Sequence, residues 1–174
     1  MTLTQNSLTQ DRGWQASALV TLGSMAALAA AFTAQYGFGL LPCTVCFWQR
    51  VPYAMTALLG ALSLMPAVPP RERRVVLFHL VGLLAIDAGL AFYHVGVEVH
   101  WWPGPAYCSG GGGGGISLGD LASALGKSGS PSCDQPTFLF GGPISMAGYN
   151  LMLASLLTAA ALFAALQKSW WRRD

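Results

Sequence analysis

The sequence predicts an all-α integral membrane protein: a four-helix bundle with both termini cytoplasmic and a long loop between helices 3 and 4 on the opposite side. Three observations carry that prediction. Of 174 residues, 53% are apolar and only 9% charged, with a mean hydropathy of +0.49, whereas a soluble domain carries about a quarter charged residues. Residues 13–49, 51–70 and 135–167 contain no Lys, Arg, Asp or Glu, and each stretch matches or exceeds the roughly 20 residues that cross a hydrocarbon layer. Six of the nine basic residues fall in two clusters, Arg71, Arg73 and Arg74, then Lys168, Arg172 and Arg173. A formal charge of +2 excludes a polybasic nucleic-acid surface, and the length suits a single domain.

The first span is expected over 14–35, where the Ala and Gly content suits close helix packing in lipid. Arg12 is the only basic residue before it and Asp11 offsets that charge. The apolar run also exceeds the 7–15 residues of a signal-peptide core, so this start reads as a retained span. A second span covers 47–65 and stops before Pro66 and the Pro69-Pro70 pair, which cannot continue a helix. Arg71, Glu72, Arg73 and Arg74 are expected in the short turn that follows. The third span, 75–95, contains Asp87, and the fourth covers 147–166. Short cytoplasmic loops retain Lys and Arg, which places the 71–74 turn and both termini inside. The loops 36–46 and 96–146 are then outside, with Lys127 the only basic residue in either. Those two loops hold all four cysteines.

Cys43 and Cys46 form a Cys-Thr-Val-Cys motif at the expected start of the second helix. Three-residue spacing brings both sulfurs onto one turn, and the free amides and dipole of a helix N-terminus favour a thiolate. This reads as a redox pair; a structural bridge or half of a metal site stays open, although Cys108 and Cys133 are too widely spaced to supply a second close metal-binding pair. Cys108 and Cys133 lie in the same oxidising compartment, where disulfides persist. Between them run the six glycines Gly110–Gly115, a composition suited to a mobile shuttle more than to a stapled core. Dithiols cannot discharge two electrons repeatedly without a terminal acceptor. A lipid-soluble quinone reaches a CxxC at the membrane boundary, and Arg50, four residues beyond Cys46, is placed either to stabilise negative charge there or to snorkel to headgroups.

CTVCFWQR, GLAFYHVGVEVHWWPGPAYC and PSCDQPTFLFGGPISMAGYNLMLA resemble the disulfide bond formation protein B family, quinone-linked oxidases of the bacterial inner membrane. The resemblance runs from the first span through the fourth; the six-glycine run departs from it. It implies a bound ubiquinone or menaquinone and a periplasmic thioredoxin-fold thiol oxidase, similar to disulfide bond formation protein A, as partner. It also implies electron flow from Cys108 and Cys133 through Cys43 and Cys46 to the membrane quinone pool. By the same resemblance Cys108 forms the mixed disulfide with the partner, Cys133 pairs with Cys43 in an interloop intermediate, Cys46 lies nearest the quinone, and Arg50 helps to bind it. No metal ligand set is expected.

His94, near the outer end of the third span, is either a quinone-site donor or an interfacial hydrogen-bonding group. Asp87, mid-span, is expected to be hydrogen-bonded or neutral in preference to serving as a proton relay. Trp170 and Trp171 read as interface anchors, Trp101 and Trp102 as anchors that also support the cysteine region, and Glu98 is placed to orient that segment. Two other classes fit less well: a quinone oxidoreductase similar to vitamin K epoxide reductase, which runs its chemistry at a CxxC borne near a later span whereas here it precedes the second, and a non-enzymatic scaffold or transporter with two structural disulfides.

Overall fold

A computed structural model describes residues 2–105, 108, 132–138 and 142–171. Gly110–Gly115, Lys127, Arg172 and Arg173 lie outside the described residues. The fold is all-helical, with four long helices: α1, Thr2–Phe32; α2, Thr44–Ser63; α3, Pro70–Glu98; and α4, Met146–Leu166. A π turn, Thr33–Gly37, extends α1, and a 3-10 turn, Lys168–Trp171, follows α4. Apart from one isolated bridge between Phe138 and Ser145, the described residues hold no β-structure. α3 packs most extensively on α4, α1 and α3 each pack on α2, and α1 closes onto α4.

Packing follows the logic of helices in lipid, where small residues line the seams and large apolar side chains face outward. On α1, Ser17, Val20, Thr21 and Ser24 are buried, while Leu19, Leu22 and Met25 are exposed. The three buried hydroxyls donate to the carbonyls one turn back, at Gly13, Ser17 and Val20, which removes them from the apolar seam as free donors. α4 presents Ala147, Ala154 and Ala161 at seven-residue intervals, and α3 presents Leu77, Leu80, Leu84, Asp87, Ala91 and His94 at alternating three- and four-residue steps. That period keeps one stripe of each helix on its partner. Asp87 and His94 therefore occupy core positions on the same stripe as the leucines.

Three segments, Arg12–Gly37, Pro70–Glu98 and Met146–Leu166, are long and apolar enough to span a membrane. α2 is more polar because its first turns hold Gln49, Arg50, Tyr53 and Thr56, of which all but Arg50 are buried. Between Arg73 and His94 the rise along α3 is about 31 Å, close to the hydrocarbon thickness.

Two expectations change at the inner end. Residues 71–74 are not a turn: Pro70 opens α3, and the basic residues lie in its first helical turn. Pro is well suited to that position because its missing N–H has no intrahelical partner there. Arg73 is buried and donates through Nε to Ser63 O at 2.8 Å and through Nη2 to Val68 O at 3.1 Å. Arg74 Nε donates to Ala165 O at 2.8 Å. Both thus satisfy carbonyls around the ends of neighbouring helices. Trp171, expected at the interface, is instead buried against Gly13, with Nε1 donating to Ala164 O at 2.9 Å. The 3-10 turn folds it back into the bundle, and Gly13 leaves room for its ring.

Candidate active site

At the outer end, α2 begins where Cys43 takes the extended N-cap conformation and its Sγ accepts from the Cys46 amide at 3.2 Å. Helical geometry then turns both sulfurs toward each other, 2.7 Å apart, as free cysteines. From α3, His94 Nε2 reaches to 3.6 Å from Cys43 Sγ. The Cys43 thiol is held far below its usual range, at about 4. Donation from the Cys46 side chain is the main cause, followed among the favourable effects by the hydrogen bond and charge of His94. Burial opposes the shift because it disfavours the thiolate.

Cys108 and Cys133 are joined in a disulfide. Both are buried, and with Cys43, Val45 and Val97 they form one packed cluster flanked by Cys46, Tyr93 and Trp102. Cys133 N and Ser132 Oγ each donate to Cys108 O at 3.0 Å. A pair expected on a loosely held shuttle is thus packed against the CxxC, with apolar contacts that composition alone did not reveal. Gly96 makes this possible: a Cβ there would collide with the Trp102 ring, which stacks on Tyr93 and donates to Tyr93 O at 2.9 Å.

Inside the bundle, a cavity of about 110 Å³ is lined by Cys43, Cys46, Gln49, Arg50, Tyr53, His94, Glu98 and Asn150, among others. Arg50 Nη1 donates to Gln35 Oε1 at 2.6 Å, and its guanidinium lies over the Phe32 ring; both partners belong to the outer end of α1 and the π turn that extends it. Glu98 lies 4.0 Å from His94 Nε2 and accepts from Ser145 Oγ, the side chain that also caps α4. Sequence reasoning placed Glu98 only loosely and missed Gln49, Tyr53 and Asn150 altogether. The signal for Gln49 was its place in the turn between Cys46 and Arg50. Asn150 carried none, because only the α3–α4 crossing brings it to Asp87, whose Oδ2 accepts from Asn150 Nδ2 at 3.4 Å.

A second, largely apolar opening of about 560 Å³ lies between α1 and α4 and shares Ala27, Ala31, Met146 and Asn150 with the first. The ligand atoms of Cys43, Cys46 and His94 all lie within 4.8 Å of one another. Tetrahedral Zn–S bonds of about 2.3 Å place two sulfurs nearly 3.8 Å apart, and the two sulfurs here are closer, at 2.7 Å.

Such a dithiol beside a second, bonded pair is the arrangement needed for thiol–disulfide exchange. The family model described as "Disulfide bond formation protein DsbB" matches residues 14–164. The chain belongs to the DsbB family. No curated protein and no solved structure matches it. DsbB membership makes the chain an oxidoreductase of the inner membrane, with its cysteine loops on the periplasmic side. Its two cysteine pairs, Cys43–Cys46 and Cys108–Cys133, fit DsbB-like redox chemistry, which sets the scaffold reading aside.

Proposed function

We propose that this DsbB-family protein reoxidises a periplasmic thioredoxin-fold dithiol oxidase and passes the electrons to a membrane quinone, ubiquinone or menaquinone. The observation that carries the reading is the reactive dithiol of Cys43 and Cys46 opening onto a cavity inside the bundle, beside an apolar gap between α1 and α4. Two buried atoms of the cavity residues, Gln49 Nε2 and His94 Nδ1, have no hydrogen-bond partner among the described residues. An oxygen-bearing ring would give such groups partners, and an apolar tail suits the gap, so the residues present fit a quinone.

The partner's two thiols reduce the Cys108–Cys133 disulfide through a mixed disulfide at Cys108, and the partner leaves oxidised. Cys133 then attacks Cys43 of the inner disulfide, forming a Cys43–Cys133 bond and releasing Cys46 as thiolate. Attack by Cys108 on Cys133 restores the outer disulfide and releases Cys43, whose thiolate is stabilised by Cys46 and His94. The resulting state has an outer disulfide and an inner dithiol, the same redox arrangement as in the structure. Cys46 takes up a proton on its release, so re-forming the Cys43–Cys46 bond gives up two electrons and that one proton; with a second proton from solvent these would convert a bound quinone to quinol. Arg50 and His94 are the residues assigned to bind and polarise it.

The full chain in detergent micelles, given a reduced thioredoxin-fold partner, is expected to consume one quinone for each disulfide formed. Cys46→Ser is expected to retain partner capture at Cys108 while losing quinone reduction. Sustained quinone-dependent turnover in that variant would overturn the assignment.

A further inference from the structure

A buried amide donor with no acceptor is rare in a native structure and costs about 1–3 kcal/mol. Gln49 is such a group: it lies one turn beyond Cys46 on α2, is 6% exposed, and its Nε2 has no partner among the described residues. It lines the same cavity as both sulfurs. Neighbouring donors on that wall are engaged, Arg50 with Gln35 and Tyr53 OH with Asn150 Oδ1 at 2.8 Å. Among these α2 side chains, Gln49 holds the uncommitted donor closest in sequence to the dithiol.

We propose that Gln49 is a quinone-contacting residue whose side-chain amide donates to a ring carbonyl oxygen of the quinone. The inference rests on the quinone reading above, which takes the orphan amide only as a sign of an oxygen-bearing occupant and assigns binding of the ring to Arg50 and His94. An amide suits this place on electrostatic grounds. It donates without bringing a further formal charge into the bundle, whereas a carboxylate would only accept and would repel a carbonyl oxygen. Negative charge grows on the ring oxygens as electrons arrive, so the same donor binds more strongly along the reaction than at its start. Gln49 neither gains nor loses a proton, and the electron balance stays as given above. An acyl chain in the cavity would leave the amide unpaired, which favours a carbonyl-bearing occupant over lipid.

Gln49→Leu keeps the bulk and removes the donor; Gln49→Glu retains only acceptors. The full chain in micelles is titrated with a short-chain ubiquinone and a short-chain menaquinone, with binding read from the ligand-induced rise in Tm. Both variants are expected to bind about tenfold more weakly and to lose about tenfold or more in kcat/KM for quinone. In Gln49→Leu, the ligand-free Tm is expected to stay level or rise, since the orphan donor is gone. Its quinone-free disulfide exchange with the partner, in a single turnover, is expected to match wild type. Wild-type quinone affinity and kcat/KM in Gln49→Leu would overturn the proposal while leaving the quinone reading intact. A loss accompanied by a lower ligand-free Tm and slower exchange would also overturn it, as the mark of a packing role. A wild-type chain that exchanges disulfides yet neither binds nor reduces either quinone would overturn the reading and this inference together.

Discussion

His94 Nε2 on α3 lies 3.6 Å from Cys43 Sγ at the N-cap of α2, joining two residues 51 positions apart into one acid–base unit. The helix start supplies an amide to the sulfur, the next cysteine supplies a thiol, and α3 supplies an imidazole. Each stabilises the charged form of Cys43.

That unit has a pH signature. Removing a donor to the thiolate raises the Cys43 pKa from about 4 toward the ordinary thiol value of 9.0. In reduced protein, alkylation of Cys43 is expected to fall only as pH drops through about 4. In Cys46→Ala the midpoint is expected to move upward most, because Cys46 is the largest favourable cause; in His94→Gln it moves upward less. Rates of alkylation against pH, read by mass spectrometry at Cys43, check the order; a His94→Gln midpoint at or below wild type contradicts it.

From the cavity wall, Tyr53 OH donates to Asn150 Oδ1 and Asn150 Nδ2 donates to Asp87, which is fully buried. Asn150→Leu removes one hydrogen-bond partner from each neighbour and is expected to cost about 1–3 kcal/mol, seen as a lower Tm in micelles. Asp87→Asn keeps a hydrogen-bonding group in place and is expected to retain quinone reduction close to wild type. A loss of about 100-fold or more would instead mark Asp87 as a proton carrier.

At the inner end, Arg73 is a buried cation satisfied by the carbonyls of Ser63, Met65 and Val68. Arg73→Leu leaves these oxygens without that donor, with an expected cost of about 2–3 kcal/mol. Thermal unfolding measures it. Turnover per folded molecule is expected to be unaffected, since the cysteines lie at the opposite end of α3.

The α1–α2 seam depends on Gly60, where a Cβ would collide with Thr21 Oγ1. Gly60→Ala is expected to lower stability by about 1–3 kcal/mol through overpacking. Adding Thr21→Ala is expected to recover most of that loss, and a double-mutant cycle on Tm tests the coupling.

Much of this was legible in the chain. Charge-free stretches and two clusters of basic residues determine that the protein is helical, multi-pass and oriented with its cysteines outside, because burying a charge in hydrocarbon is costly wherever the chain goes. The spacing of Cys43 and Cys46 determines that their sulfurs meet, since three residues make nearly one helical turn. Those are local or compositional constraints. The tertiary structure alone decided that His94 and Glu98 converge on the CxxC, that Cys108 and Cys133 pack against it, that Gln49 lines the cavity with its amide donor unpaired among the described residues, and that Trp171 turns inward. Each depends on which stripe of one helix meets which stripe of another. In lipid that choice rests on small differences in close packing, set here by Gly13, Gly60, Gly96 and the alanines of α4, and no periodicity within one segment encodes the partner it will meet.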